Sequence, residues 1–137
     1  SPQLFRQFLA PGYKKLVGFF QDWGIKIVLV DSDGDVSRLI PEWLEVGITG
    51  IYPLEVAAGM DVTEIRENFP HLQMIGGLDK RALVSGKAAI DQELEKVANL
   101  VSKGGYIPCI DHLVPPDVSW GNFRYYRERL NAILRNL

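Results

Sequence analysis

The sequence predicts an α/β fold, namely one half of a (β/α)8 TIM barrel, and three observations support this. Short apolar segments alternate with segments of helical period, which is typical of a parallel sheet with right-handed crossovers. This βα unit occurs four times after one leading helix. A complete barrel has eight units in about 250 residues, whereas the chain has 137 residues. We therefore predict a single domain over residues 1–137 that is a fragment of a longer barrel.

The same alternation also fits a doubly wound open sheet. No G-x-G-x-x-G motif follows the first predicted strand, which weakens a dinucleotide-binding interpretation. A half-barrel leaves two sheet edges unpaired, and parallel sheets are normally covered. We therefore expect the chain to associate either with a missing N-terminal half-barrel or with a second copy of itself as a homo-oligomer.

The leading helix is predicted over residues 2–23, because its apolar side chains recur every three or four positions. Pro11 and Gly12 interrupt this pattern and predict a kink. The run Ile-Lys-Ile-Val-Leu-Val at residues 25–30 predicts the first strand, buried on both faces. A helix over about residues 37–45 completes the first unit.

The second unit has a strand at residues 50–54 and a helix that begins after Asp61, a candidate N-cap, and ends at Asn68. In the third unit, the strand spans residues 73–77. It is followed by a short helix near residues 80–84 and by one long helix over about residues 87–102.

The fourth unit has a strand at residues 106–110, a proline-rich loop, and a last helix over about residues 122–137. A Gly104-Gly105 turn precedes this strand. The single cysteine, Cys109, lies inside the strand and is expected to be an inert, buried thiol.

Composition limits the partners and the location of the protein. The net charge is −2 and the sequence pI is about 5.7, which does not support binding to nucleic acid or to an anionic membrane. No apolar run approaches the roughly 20 residues of a membrane span. One cysteine allows no internal disulfide, which favours a reducing compartment. We therefore expect a soluble, cytoplasmic protein.

The candidate functional residues follow the predicted strands, where parallel α/β folds bind their ligands. Asp31 and Asp33 follow the first strand, Glu55 the second, and His112 the fourth. Carboxylates on the same side repel one another unless a cation lies between them. We therefore predict that Asp31, Asp33, Glu55 and His112 bind a divalent metal such as zinc, manganese or iron.

Other polar residues near the strand ends are expected to have structural roles. Asp35 is interpreted as an N-cap or turn residue of the helix that follows it, and Asp79 as a helix cap. Lys80 is expected to be a solvated surface lysine, and His71 is expected at the surface.

Several motifs carry a resemblance to a known family. They are Met-Ile-Gly-Gly-Leu-Asp at residues 74–79, Gly-Gly-Tyr-Ile at 104–107 and His-Leu-Val-Pro-Pro-Asp at 112–117. Their order and spacing resemble the C-terminal half of the uroporphyrinogen decarboxylase superfamily. The superfamily includes zinc-dependent methyltransferases that move methyl groups from corrinoid proteins to thiols. The resemblance implies a (β/α)8 barrel and an enzyme.

The two branches of this superfamily imply different sites. In the methyltransferases, a His-x-Cys pair and a later cysteine bind zinc, and these positions look like Asp31, Asp33 and His112 in this chain. A family glutamate that reaches the metal looks like Glu55. Carboxylates and imidazole in place of thiolates favour a harder metal. In the decarboxylases no metal is used, and His112 looks like a histidine near the barrel mouth.

The resemblance therefore favours a metal-assisted methyltransferase of the corrinoid-dependent type, with His112 and Glu55 as catalytic residues. A small-molecule acceptor would be activated by the metal, and a corrinoid protein would be the methyl donor. The alternative is a metal-free uroporphyrinogen (tetrapyrrole) decarboxylase. A second alternative is a non-catalytic half-barrel remnant or binding module.

Overall fold

A computed structural model describes all residues from 1 to 137. Its four strands form one parallel sheet in the order β1-β2-β3-β4, with bounds Leu29–Asp31, Gly50–Tyr52, Gln73–Leu78 and Tyr106–Ile110. Each strand pairs with the next one along the chain. A doubly wound sheet reverses its strand order at a switch point, and no reversal occurs here. The predicted α/β class is therefore confirmed, and the arrangement is that of a partial (β/α)8 barrel.

Eight α-helices accompany the sheet. Their bounds are α1 Pro2–Leu4, α2 Ala10–Asp22, α3 Ile40–Glu45, α4 Val62–Asn68, α5 Lys80–Ser85, α6 Lys87–Leu94, α7 Val97–Ser102 and α8 Trp120–Arg135. Two 3-10 turns, Ser37–Leu39 and Val56–Ala58, lie in the loops after β1 and β2. None of these helices is both long and apolar enough to cross a lipid bilayer.

The irregularity expected in the first helical segment is a π-helical turn. This turn, Phe5–Leu9, joins α1 to α2, and the Ala10 N–H donates to the carbonyl of Phe5. Pro11 follows directly and has no backbone N–H to donate. The interruption therefore lies just before the Pro11-Gly12 pair, and the helical path continues through it.

The first strand is shorter and more exposed than the sequence predicts. Residues 25–28 are not part of the sheet, and β1 has only three residues. Val30 is 9% exposed, whereas Ile27 is 57% exposed and Leu29 is 37% exposed. The prediction of burial on both faces is wrong because helices cover only one face of this sheet. Ile107 of β4, which is 61% exposed, lies on the same open face.

Two further bounds differ from the sequence prediction. The long helix predicted over residues 87–102 consists of α6 and α7, which are separated by a turn at Glu95 and Lys96. The last helix begins at Trp120 because the Ser119 side chain accepts a hydrogen bond from the Asn122 N–H and so caps it. The bounds of β4 agree with the prediction.

The core lies between the sheet and its helices. Val30, Ile51 and Met74 point from β1, β2 and β3 into the larger apolar cluster, together with Val17 of α2 and Ile40 of α3. A smaller cluster joins the end of β3 to α5, α6, α7 and α8. Because all strand pairs are parallel, the carboxyl ends of the four strands lie at one edge of the sheet, where the candidate residues follow them.

Candidate functional site at the strand ends

The loops after β1 and β2 are tied together at the strand ends. The Gly34 N–H donates a hydrogen bond of 2.8 Å to Glu55 Oε2. Leu54, the residue before Glu55, has a left-handed backbone with φ of 59°, which is uncommon for a non-glycine residue. The Glu55 carboxylate is therefore held over the end of β1 by one of its oxygens, and its other oxygen is free for a ligand.

A pair of glycines in β3 allows the loop after β2 to approach closely. Gly76 has φ of 104°, and a Cβ at this position would lie 2.0 Å from the Pro53 carbonyl oxygen. A Cβ on Gly77 would lie 1.9 Å from a methyl carbon of Val62. The Gly77 N–H donates to the Pro53 oxygen at 2.9 Å. Only glycine fits at these two positions. Because neither residue has a side chain, the Pro53–Glu55 segment can lie against β3.

Three of the four predicted metal ligands converge. Asp33, Glu55 and His112 each offer one donor atom, and these atoms lie within 4.8 Å of one another. His112 Nε2 is 3.1 Å from Asp33 Oδ1. The side chain of Asp33 is 72% exposed and that of His112 is 28% exposed, so the cluster is open to solvent on the Asp33 side.

This donor set fits a divalent metal. Ligands of such an ion lie about 2.1 Å from it, so two donor atoms are at most about 4.2 Å apart. The cluster needs only a small contraction to reach that size. Two carboxylates and one imidazole suit zinc, manganese or iron, and three protein ligands leave a position open for substrate.

Asp31, the fourth predicted ligand, lies outside this group of three. It is the last residue of β1, is exposed, and pairs in register with Tyr52 of β2. Desolvation raises the pKa of the Tyr52 hydroxyl, and the nearby Cys109, Asp31, Asp33 and Asp111 raise it further. Asp31 therefore contributes negative charge to the edge of the site.

The sequence alone assigns no role to Asp111. This side chain is fully buried, and its Oδ2 accepts a hydrogen bond of 2.9 Å from the Val56 N–H. Its Oδ1 lies 3.6 Å from Lys80 Nζ and 3.7 Å from His112 Nδ1. The available signal was an acidic residue directly after an apolar strand and directly before His112.

Lys80 is also not the solvated lysine that we expected. Its side chain is 21% exposed and its ammonium group faces the buried Asp111 carboxylate. The reason is that β3 and β4 are neighbours in the sheet, so the residues after them face each other.

The remaining polar residues have structural roles, although Asp35 is a turn residue and not a cap, because Val36 occupies the N-cap position of the 3-10 turn. Asp35 accepts hydrogen bonds from the Ser37 N–H and hydroxyl, and Asp79 accepts from the Arg81 N–H at the start of α5. His71 is exposed. Cys109 is half-buried, and burial raises the pKa of its thiol, which disfavours the reactive thiolate.

A cluster of ionisable side chains at the carboxyl ends of parallel strands is the arrangement by which barrel enzymes place their active sites. The fold is therefore that of a partial barrel, with ionisable side chains at the edge where barrel enzymes have their active sites. The family model described as Uroporphyrinogen decarboxylase (URO-D) matches residues 1–132. The chain therefore belongs to the uroporphyrinogen decarboxylase family, as its motifs predict. No curated protein sequence matches the chain.

Proposed function

We propose that the chain is the metal-binding half of a superfamily methyltransferase of the corrinoid-dependent type. One observation carries this proposal: side chains from three different strand ends, Asp33, Glu55 and His112, bring two carboxylates and one imidazole together. Without a cation, the two carboxylates leave uncompensated negative charge at this edge.

Each of the three residues has a distinct part in holding the ion. Glu55 is oriented by the Gly34 N–H and uses its free oxygen as a ligand. His112 provides Nε2, which already faces Asp33. The exposed Asp33 is the third ligand and lies on the solvent side of the ion, where a small-molecule acceptor would enter. When bound, the ion would supply Lewis-acid activation that lowers the pKa of this acceptor for attack on a methyl group carried by a corrinoid protein.

A barrel enzyme normally has residues from several strands around its site, and this chain provides four strands. We therefore propose that a missing N-terminal half-barrel or a second copy of the chain completes the substrate pocket. The single cysteine supports a reducing, cytoplasmic location.

Metal-free decarboxylation of a tetrapyrrole is the second candidate function, because the matching family model carries the decarboxylase description. In this case His112 and the neighbouring carboxylates would bind the tetrapyrrole directly. A third candidate is a non-catalytic half-barrel remnant or binding module, which would retain the family fold without its activity.

Metal-dependent thermal stability tests the favoured function. We expect manganese, zinc or iron(II) to raise the melting temperature of the parent chain, because a ligand bound by the native state stabilises it by about 2.7 kcal/mol at a concentration of 100 times Kd. Asp33→Asn and His112→Gln should each abolish most of this increase.

Asp35→Asn is the matched control, because Asp35 lies two residues from Asp33 but is engaged with Ser37. It should keep the metal-dependent increase. Asp31→Asn separates the fourth predicted ligand from the three that converge, and it should weaken the increase less than Asp33→Asn does. No response of the parent to any metal would overturn the proposal, and tetrapyrrole binding would then support the decarboxylase.

A further inference from the structure

Asp111 connects three of the four strand ends. It follows β4 directly, its Oδ2 accepts from the Val56 N–H after β2, and its Oδ1 faces Lys80 after β3. Val56 is the neighbour of Glu55, so the same carboxylate fixes the loop that carries Glu55. It is also the only fully buried charged side chain, at 0% exposure.

Two buried polar atoms at this point have no hydrogen-bond partner. They are Asp111 Oδ1 and His112 Nδ1, and they lie 3.7 Å apart. A hydrogen bond between nitrogen and oxygen spans about 2.7 to 3.2 Å, so a small rotation of the imidazole joins them.

The proton position on the neutral His112 ring is decided by two carboxylates of unequal burial. With the proton on Nε2, His112 donates to Asp33, and the lone pair of Nδ1 faces the buried Asp111 oxygen. With the proton on Nδ1, His112 donates to Asp111, and the lone pair of Nε2 faces Asp33. Asp33 is 72% exposed and is solvated by water, whereas Asp111 is fully buried. The first arrangement keeps the 3.1 Å contact with Asp33 but leaves the Nδ1 lone pair 3.7 Å from the buried Asp111 oxygen. Water can solvate Asp33 in the second arrangement, whereas repulsion at Asp111 is stronger in the buried environment, so the second arrangement is favoured.

We infer that Asp111 is a positioning residue that keeps the His112 proton on Nδ1 and thereby turns the Nε2 lone pair toward Asp33 and Glu55. Lys80 supplies the positive charge that compensates Asp111 in the interior. The inference about the proton rests on the unequal burial of the two carboxylates, and its consequence for metal affinity rests on the proposed function. Outer carboxylates of this kind orient metal-binding histidines.

The proton position is measurable without any metal. The 15N chemical shifts of His112 Nδ1 and Nε2 distinguish the two tautomers, and the measurement is made in the full chain with chelator present, at a pH where the imidazole is neutral. The only other histidine is His71, so His71→Gln assigns the signals. We expect Nδ1 to be protonated in the parent. A parent that has the proton on Nε2, or an equal mixture, overturns the inference even if no variant folds.

Asp111→Asn is the discriminating variant. The side-chain carbonyl oxygen of the asparagine in this variant accepts the hydrogen bond from the Val56 N–H. The asparagine amide nitrogen therefore faces His112 and donates to Nδ1. The proton on the ring should then move to Nε2. Asp33→Asn is the matched control, and it should leave the proton on Nδ1. A purely structural role of Asp111 predicts no change of tautomer in a folded Asp111→Asn variant, and that result also overturns the inference.

Metal titration of the same proteins separates this inference from the proposed function. We expect Asp111→Asn to weaken manganese or zinc binding by about 10- to 100-fold. A parent with the Nδ1 proton but no metal binding supports the inference and contradicts the proposed function. A parent that binds metal but carries its proton on Nε2 when metal-free supports the function and overturns the inference.

Discussion

Three charged side chains are buried in this protein, and their surroundings differ. Glu42, at 8% exposure, forms an ion pair with Arg6, and Arg66, at 4%, donates to backbone carbonyls. Asp111 Oδ1 and Arg66 Nε both lack a hydrogen bond, but Asp111 alone lies at the strand ends, next to His112. A buried unsatisfied carboxylate oxygen is costly for the fold. The contact with His112 supports the positioning role that we propose for Asp111, whereas Glu42 and Arg66 pair within the fold.

Asp79 provides a prediction of pH dependence at the residue scale. Hydrogen bonds from the Arg81 side chain hold the pKa of the Asp79 carboxyl below its usual value. Because the pKa is lower in the folded state, the carboxylate contributes stability at pH values above about 3.9, and this contribution is lost as the pH falls through the folded pKa.

Asp79→Asn keeps a good helix cap but removes the ion pair. The variant should therefore be less stable than the parent at pH 7, by about 1 kcal/mol or less. Urea unfolding from pH 7 to pH 3 should show this difference shrinking toward acid. A difference that stays constant over the whole range would contradict the assignment.

At the scale of elements, the approach of β3 to the loop after β2 depends on Gly76. An alanine at this position would place its Cβ 2.0 Å from the Pro53 oxygen, at a φ of 104° that disfavours any side chain. We expect Gly76→Ala to reduce the free energy of unfolding by about 3 kcal/mol, because both strain and overlap must be relieved.

Gly18→Ala is the matched control for this substitution. Gly18 lies inside α2, and a Cβ there meets no atom within 4 Å. This change should raise stability by up to about 1 kcal/mol, because alanine favours a helix over glycine. Chemical denaturation of both variants measures the difference. Equal effects of the two substitutions would show that the contact at Pro53 is not required.

Arg66 joins α4 to the turn before β4. Its guanidinium donates to the carbonyl oxygens of Pro70 at 2.6 Å, Gly104 at 3.0 Å and Gly105 at 3.2 Å. Arg66→Met should reduce stability by about 3 kcal/mol, because it removes three hydrogen bonds from a buried charged donor. Arg66→Lys, which still supplies one charged donor, should lose less. A denaturation midpoint that is unchanged in Arg66→Met would contradict this role.

At the scale of the whole molecule, one face and two edges of the sheet are uncovered. Ile27, Leu29 and Ile107 are exposed on the face without helices, and β1 and β4 each pair with only one strand. Exposed apolar patches and unpaired strand edges are typical of association surfaces. The isolated chain should therefore self-associate at micromolar concentration, as measured by equilibrium sedimentation.

Ile107→Lys tests the part played by this face. It places a charge on the uncovered face, in the edge strand β4, so the average mass should fall toward 15.4 kDa. The control is Leu113→Lys, because Leu113 is 90% exposed but lies in the loop after β4. It should leave association unchanged. A parent that remains monomeric at all concentrations would contradict the prediction.

Much of this protein is determined by local sequence. The alternation of apolar runs and helical periods predicts the four βα units, and β4 has the predicted bounds of residues 106–110. Caps such as Asp61 and Asp79 accept hydrogen bonds where the sequence places them, because a cap interacts only with residues two or three positions away. The motifs also predict the family, and the family match confirms it.

The tertiary structure decided what depends on residues that are distant along the chain. The strand order placed Asp33, Glu55 and His112 together and left Asp31 outside their group. Neighbouring strands also brought Lys80 to the buried Asp111. The exposure of Ile27 and Leu29 could not be predicted, because an apolar run does not show whether helices pack on one face of its strand or on both. Which face of a sheet is covered depends on layers that pack around it, and no local pattern in the sequence records them.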